Sequence, residues 1–155
     1  MVILAGCENS QPVSPSSDPE FFVTLSGYDS IEYKSPGVVN VIFNDKYEQL
    51  VLSTILNVNN KKYTCGIYLF FLDKKEKIGE FPFTNSSKTY STDFAVGTIE
   101  ITEGNDKDVF FSTEGKLKIT KFDSSKIVGS FYFTAYDSTG KKSIVAKNGI
   151  IDFTY

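Results

Sequence analysis

Apolar and polar positions alternate along most of this chain, most clearly over residues 127–136. There Ile127, Phe131, Phe133 and Ala135 fall on one face, and Ser130, Tyr132, Thr134 and Tyr136 on the other. A period of two is that of a half-buried β-strand. The preceding run, residues 116–121, alternates lysine with Leu117 and Ile119, and residues 144–155 supply a third apolar arm. Polar turns at residues 123–126 and 137–141 separate the three, rich in the Asp, Ser and Gly that tight turns use.

Similar runs precede this region. Residues 20–26 read as a first strand, residues 27–30 as a turn and residues 31–33 as a short return. Ser35-Pro36-Gly37 punctuates the chain before the β-branched run 38–43. Residues 47–56 fit two templates. Tyr47, Leu50, Val51, Thr54 and Ile55 have helical spacing, with Asp45 and Glu48 as a capping pair, while Leu50, Leu52, Thr54 and Leu56 alternate as in a strand. The strands on either side favour a strand. After a loop at 57–62, residues 63–72 are apolar on both faces, so this strand is central or lines a pocket.

Residues 73–77 form a charged loop, and 78–83 an extended segment whose Pro82 belongs at an edge or bend. Residues 84–92 read as loop, 94–102 and 109–112 as two further arms around the turn 103–108. In the last strand the apolar parity shifts from Ile144 and Ala146 to Ile151, Phe153 and Tyr155 across Asn148-Gly149. One extra residue restores the register, which predicts a β-bulge with Gly149 at positive φ; the alternative is a tight hairpin turn at the same pair. About eight to ten short strands predict an all-β fold, an antiparallel β-sandwich or a flattened β-barrel.

Composition agrees with strands, since 14 Phe and 9 Tyr bring the aromatic content to 15%. At 155 residues and 41% hydrophobic content the chain supports one core. The sequence holds no His, no Trp and no Arg, so its 16 basic residues are all lysine. That removes an imidazole base, a His-dependent nucleophile and His-ligated metal sites, as well as the bidentate guanidinium fork for phosphate or guanine. With a net charge of −3, nucleic acid is not an expected partner. No cofactor is expected either, and the chain does not read as an enzyme.

The segment Leu4-Ala5-Gly6-Cys7 resembles a bacterial lipobox, in which a signal peptide is cut before a cysteine that becomes the lipidated N-terminus. The Pro/Ser-rich run that follows cannot bury enough apolar surface to fold. The expected organisation is a truncated signal-peptide remnant at residues 1–6, a lipid-anchored flexible tether at 7–19 and a β-sandwich domain at 20–155. Only Met1 to Ile3 precede the box, against the about 7 to 15 apolar residues of a complete signal, so the start reads as trimmed or misplaced. The bland alternative leaves Cys7 an ordinary thiol on a frayed terminus. No other run reaches the about 18 apolar residues of a membrane helix, so attachment to a membrane is expected through the lipid on Cys7. Cys65 lies in an apolar run and reads as a small buried hydrophobe.

The segments Gly79-Glu-Phe-Pro-Phe83, Gly115-Lys-Leu-Lys-Ile-Thr-Lys-Phe-Asp123, Val128-Gly-Ser-Phe-Tyr-Phe-Thr-Ala135 and Asn148-Gly-Ile-Ile-Asp-Phe-Thr-Tyr155 resemble a family of small lipoproteins of Gram-negative bacteria built on a domain of unknown function. In that family a G-x-Y segment precedes an I-T-x-x-D strand, a G-T-F-x-F-x-A strand and a terminal N-G-x-F strand. The chain departs from it at Phe81, where Tyr is usual, and at Ile150 and Ile151 near the terminal Phe. The resemblance covers residues 78–155 well and residues 21–72 less. It implies a lipid-anchored protein of the cell envelope and brings no catalytic residue with it; the outer membrane is the expected location, with inner versus outer membrane left open.

Two groups of residues are candidates for chemistry. Glu103, Asn105, Asp106 and Asp108 offer the hard oxygens that calcium takes, but without EF-hand spacing, and a solvated acidic loop is the simpler reading. Tyr68, Phe70, Tyr132 and Tyr136 come from the two most aromatic strands and would form a ligand-facing surface or cavity, unless they are packed beneath a second layer. The leading expectation is an envelope-anchored, non-enzymatic binding or structural module with a protein or glycan partner. The alternative is a lipocalin-like carrier holding a small apolar molecule in a barrel cavity. A hydrolase working with carboxylates alone ranks third, because no acidic pair lies in apolar surroundings.

Overall fold

A computed structural model describes residues 20–35, 39–44, 49–71, 78–85 and 92–154. The expected lipobox and tether, the capping pair Asp45 and Glu48, the charged loop 73–77, most of the loop 84–92 and Tyr155 lie outside the described residues. Every described element is a strand: β1 Glu20–Gly27, β2 Ile31–Ser35, β3 Val39–Asn44, β4 Gln49–Val58, β5 Lys61–Phe70, β6 Gly79–Pro82, β7 Phe94–Glu103, β8 Asp106–Phe122, β9 Lys126–Asp137 and β10 Ser143–Thr154. They form one strongly curled sheet in the order β2-β1-β10-β9-β8-β7-β5-β4-β3, with β6 paired to β8 off this path. All strand pairs are antiparallel. The expected sandwich-or-barrel architecture is thus realised as a single half-barrel.

The curl brings the two arms of the sheet together, so that the hydroxyl of Tyr33 on β2 donates to Thr54 Oγ1 on β4 at 3.4 Å. The concave face holds the core. Phe21, Leu50, Leu52, Ile67, Ile99, Phe110, Leu117, Phe133 and Phe153 are among its buried side chains. Phe21 lies 5.3 Å from Phe131, and Phe133 lies 4.9 Å from Phe83, as ring centroids. Each such side chain contributes about 1.5–3 kcal/mol by leaving water. Small residues make room for the rings: a Cβ on Gly97 would lie 2.7 Å from the Phe133 ring, and one on Gly149 2.5 Å from that of Phe131.

Residues 49–56, the described part of the stretch that fitted two templates, are strand as expected, with Leu50, Leu52 and Thr54 buried on β4. The expected loop at 57–62 is shorter, because Asn59 and Asn60 both take positive φ (51° and 63°) and close a two-residue hairpin. Asparagine tolerates that conformation through local side-chain hydrogen bonding. The turns at 123–126 and 137–141 are present, each built on its aspartate: Asp123 Oδ1 accepts from the Ser125 and Lys126 amides, and Asp137 Oδ1 from the Lys142 amide.

Two expectations need correction. Residues 109–112 and 116–121 are not separate arms but parts of the single strand β8, which starts at Asp106 after a turn of two residues, Gly104 and Asn105. The strand serves two neighbours in succession. Its first half pairs with β7 from Asp106 to Phe111, its second with β6 from Lys116 to Ile119, and a register shift at Ser112/Glu114 marks the changeover. The buried Ser112 hydroxyl holds this fork, accepting from the Gly97 amide at 2.8 Å and donating to the Thr84 carbonyl at 2.8 Å. The second correction concerns β10. The bulge is there: β9 registers the extra residue between Ala146 and Gly149, and β1 registers it between Lys147 and Ile150. The positive φ, however, belongs to Asn148 (54°), while Gly149 is glycine because the Phe131 ring occupies the place of a side chain.

Ser112→Ala strands two buried backbone groups and should cost about 2–4 kcal/mol in urea unfolding. A loss below about 1 kcal/mol would mean that the fork does not depend on this hydroxyl. In the bulge, Asn148→Gly should change stability by less than about 1 kcal/mol, whereas Gly149→Ala should cost about 1–3 kcal/mol by displacing Phe131. Equal costs at the two positions would contradict the roles given to them.

Candidate functional site

The convex face of the sheet carries the four aromatic residues singled out from the sequence. Tyr132 and Tyr136 point outward from β9 and are 55% and 39% exposed, while Tyr68 and Phe70 are half-buried on β5. None of the four belongs to the concave core. They do not meet in one cluster either. Tyr136 pairs across strands with Phe111, Phe111 with Thr98, and Thr98 with Gly66. Three strand spacings, about 14 Å, therefore separate Tyr136 from β5. Phe70 instead stacks on Phe94 at 4.8 Å, and Tyr68 lies over Gly66 beside Thr98. The sequence reading missed Phe111, which is 38% exposed and lies between the two pairs.

Tyr132 has a different neighbourhood. It pairs with Lys116 on β8, and on its other side β10 carries the bulge at Lys147 and Asn148. A trough of about 510 Å³ opens there, lined by Tyr132, Lys116, Lys118, Lys147, Ser130, Thr134 and Asn148 among others. Its twelve lining residues include three lysines and no carboxylate. Lys116 forms an ion pair with Glu80 at 2.8 Å. Lys118 and Lys147 make no ion pair among the described residues.

A second polar cluster closes one end of the half-barrel. The Tyr28 hydroxyl donates to Asp108 Oδ2 at 2.7 Å, and Lys142 Nζ reaches Asp108 Oδ1 at 2.6 Å and lies 4.6 Å from the centre of the Tyr28 ring. Next to it, Lys61 Nζ and the Tyr63 hydroxyl share Asp29 Oδ2, at 3.0 and 2.8 Å. Lys61 also lies 3.7 Å from Glu103. The candidate calcium oxygens of Asp108 and Glu103 are thus directed at lysines, and no cluster of metal-binding side chains occurs among the described residues.

Electrostatics marks these contacts as latches. Burial pushes Asp29 upward, but hydrogen bonds from Lys61 and Tyr63 prevail and hold it below the usual carboxylate range. Asp108 is lowered by its hydrogen bonds from Lys142 and Tyr28, and Lys142 is raised in return. Tyr63 is pushed up to about 12 by burial and then by Asp29. Burial alone pushes Cys65 up to about 12, which keeps its thiol protonated and unreactive at neutral pH.

The chain matches no protein-family model, no curated protein and no solved structure. What the convex face does must therefore be argued from its own chemistry. That chemistry is an exposed tyrosine, neutral hydroxyl and amide groups, and three lysines of which Lys116 is ion-paired with Glu80, in a recess of small-ligand size.

The latch carboxylates give stability a defined pH dependence. A carboxylate with a lowered folded pKa stabilises above its unfolded value of about 3.9, and that contribution is lost as pH falls through the folded value. Urea midpoints followed by circular dichroism should therefore drop below about pH 4. The double variant Asp29→Asn/Asp108→Asn should start less stable at pH 7 and lose less over the acid range. Parallel curves for the two proteins would show that the latches carry no linkage.

Proposed function

We propose that this chain is an envelope-anchored lipoprotein of a Gram-negative bacterium whose β-domain binds a partner on its outer surface and performs no catalysis. The observation that carries this reading is the filled concave face. Ring-to-ring contacts among Phe21, Phe131, Phe133 and Phe83 run through it, where a carrier would keep a hollow for its cargo. The absence of histidine from the sequence and the pairing of Asp29 and Asp108 with lysine both argue against acid–base chemistry. Cys7, in its lipobox-like setting, is the attachment point, and the Pro/Ser-rich residues 8–19 are the tether. The resemblance of residues 78–155 to small lipoproteins of Gram-negative bacteria supports an envelope location.

Expression in a Gram-negative host from the native gene, with a clickable palmitate analogue in the medium, tests the anchor. The protein should take up label and sediment with membranes, and Cys7→Ser should abolish both. An unlabelled wild-type protein that fractionates with soluble periplasm would overturn the anchored reading.

A further inference from the structure

The trough on the convex face deepens the reading of the domain as an outward-facing binding module, on which the following inference rests. We infer that it binds an acidic saccharide, with one sugar ring stacked on Tyr132 and a carboxylate of the same chain held by Lys118 and Lys147. Size sets the class of ligand. A volume of about 510 Å³ suits a small molecule or a short stretch of a chain, whereas a protein partner needs about 800 Å² of surface on each side.

Charge sets its sign. The protein is acidic overall at −3, yet the trough lining holds three lysines and no carboxylate. Glu80 forms its ion pair with Lys116 and also faces Lys118 across the β6–β8 pair, so one carboxylate serves two lysines; Lys118 and Lys147 stand on opposite sides of β9, neither in an ion pair with a described residue. A bound anion would lie between them.

The remaining groups point to a sugar over other anions. Tyr132 offers an open ring whose negative face suits the polarised C–H bonds on one side of a pyranose. Ser130, Thr134 and Asn148 surround it with neutral donors and acceptors matched to hydroxyl groups. An anionic membrane would also be attracted by the lysines, but these polar groups line a recess, and a flat lipid surface would leave them unused.

The test is a titration of the isotopically labelled protein, followed by amide NMR shifts, with a galacturonic acid tetramer, its neutral methyl ester and vesicles containing phosphatidylglycerol. The tetramer should shift amides of residues 116–118, 130–134 and 145–149. Affinity should fall about tenfold for the ester, for Tyr132→Ala and for Lys118→Ala/Lys147→Ala, and Tyr132→Phe should retain binding. Well-dispersed spectra of the variants will show that they fold. Equal binding of acid and ester, or vesicle binding through these residues in place of the tetramer, would overturn the inference. A neutral naphthylamine dye, titrated in parallel, separates the two levels of the argument. Dye uptake into the concave core would bring down the binding-module reading itself, whereas a silent tetramer without dye uptake would bring down the trough alone.

Discussion

A single sheet can bury one of its faces only by curling over it, and here the curl depends on one strand changing neighbours half-way. β8 runs for 17 residues, longer than a flat partner could follow, and passes from β7 to β6 at Ser112. Such a fork would leave the Gly97 amide and the Thr84 carbonyl facing apolar surroundings, and the Ser112 hydroxyl answers both. Bulges sharpen local twist, and β8 has register shifts at Ser112/Glu114 and at Ile119/Lys121. Bend and hydrogen-bond repair thus occur in the same short segment. Without them β6 would have no place beside β8, and the Phe81 and Phe83 rings that it delivers would not reach the core.

Much of this fold is legible in the sequence because the concave face imposes strict parity. The alternation in residues 127–136 and the parity break before Gly149 both follow from which side chains must enter the core, and both are found in the strands. The neighbour exchange of β8 is not legible. Thr113, Glu114 and Gly115 interrupt the apolar alternation, and only the long-range pairing with β9, joined by β6 from Lys116 on, shows that the strand continues. Conformational freedom alone points to glycine for the left-handed residue at the β10 bulge, yet Gly149 is required for space and Asn148 takes the unusual φ. A local rule named the right pair and the wrong member, because the deciding atoms belong to Phe131 on another strand.

The convex face was legible in kind and not in arrangement. Alternation places Tyr132 and Tyr136 on the polar side of their strand and puts Lys116 and Lys118 on one face. That Lys147 would join Lys116 and Lys118 around Tyr132 depends on the β8–β9–β10 register, which long-range pairing sets. The same limit applies to the latches. Tyr28 and Asp29 look like ordinary turn residues, and their partners lie up to 114 and 34 positions away. Lysine is suited to such latches, since its flexible stem can bring a point charge to a carboxylate whose position is fixed by other strands.

The location of the trough follows from the same physics that fills the interior. Phenylalanine rings seated on Gly97 and Gly149 use the space that a ligand would need inside, so discrimination has to be carried on the outside. A regular antiparallel sheet offers little relief there, because its outward side chains form even rows. Relief arises where strands depart from regularity. Lys116 and Lys118 lie between the two register shifts of β8, and Lys147 and Asn148 form the extra length of β10. The bulge that keeps Ile151 and Phe153 facing inward also lifts the outward row of β10 out of step with β9 beside Tyr132. A single inserted residue therefore serves the core by preserving parity and creates the recess on the opposite face, which couples any change in the trough to the packing of Phe131 behind it.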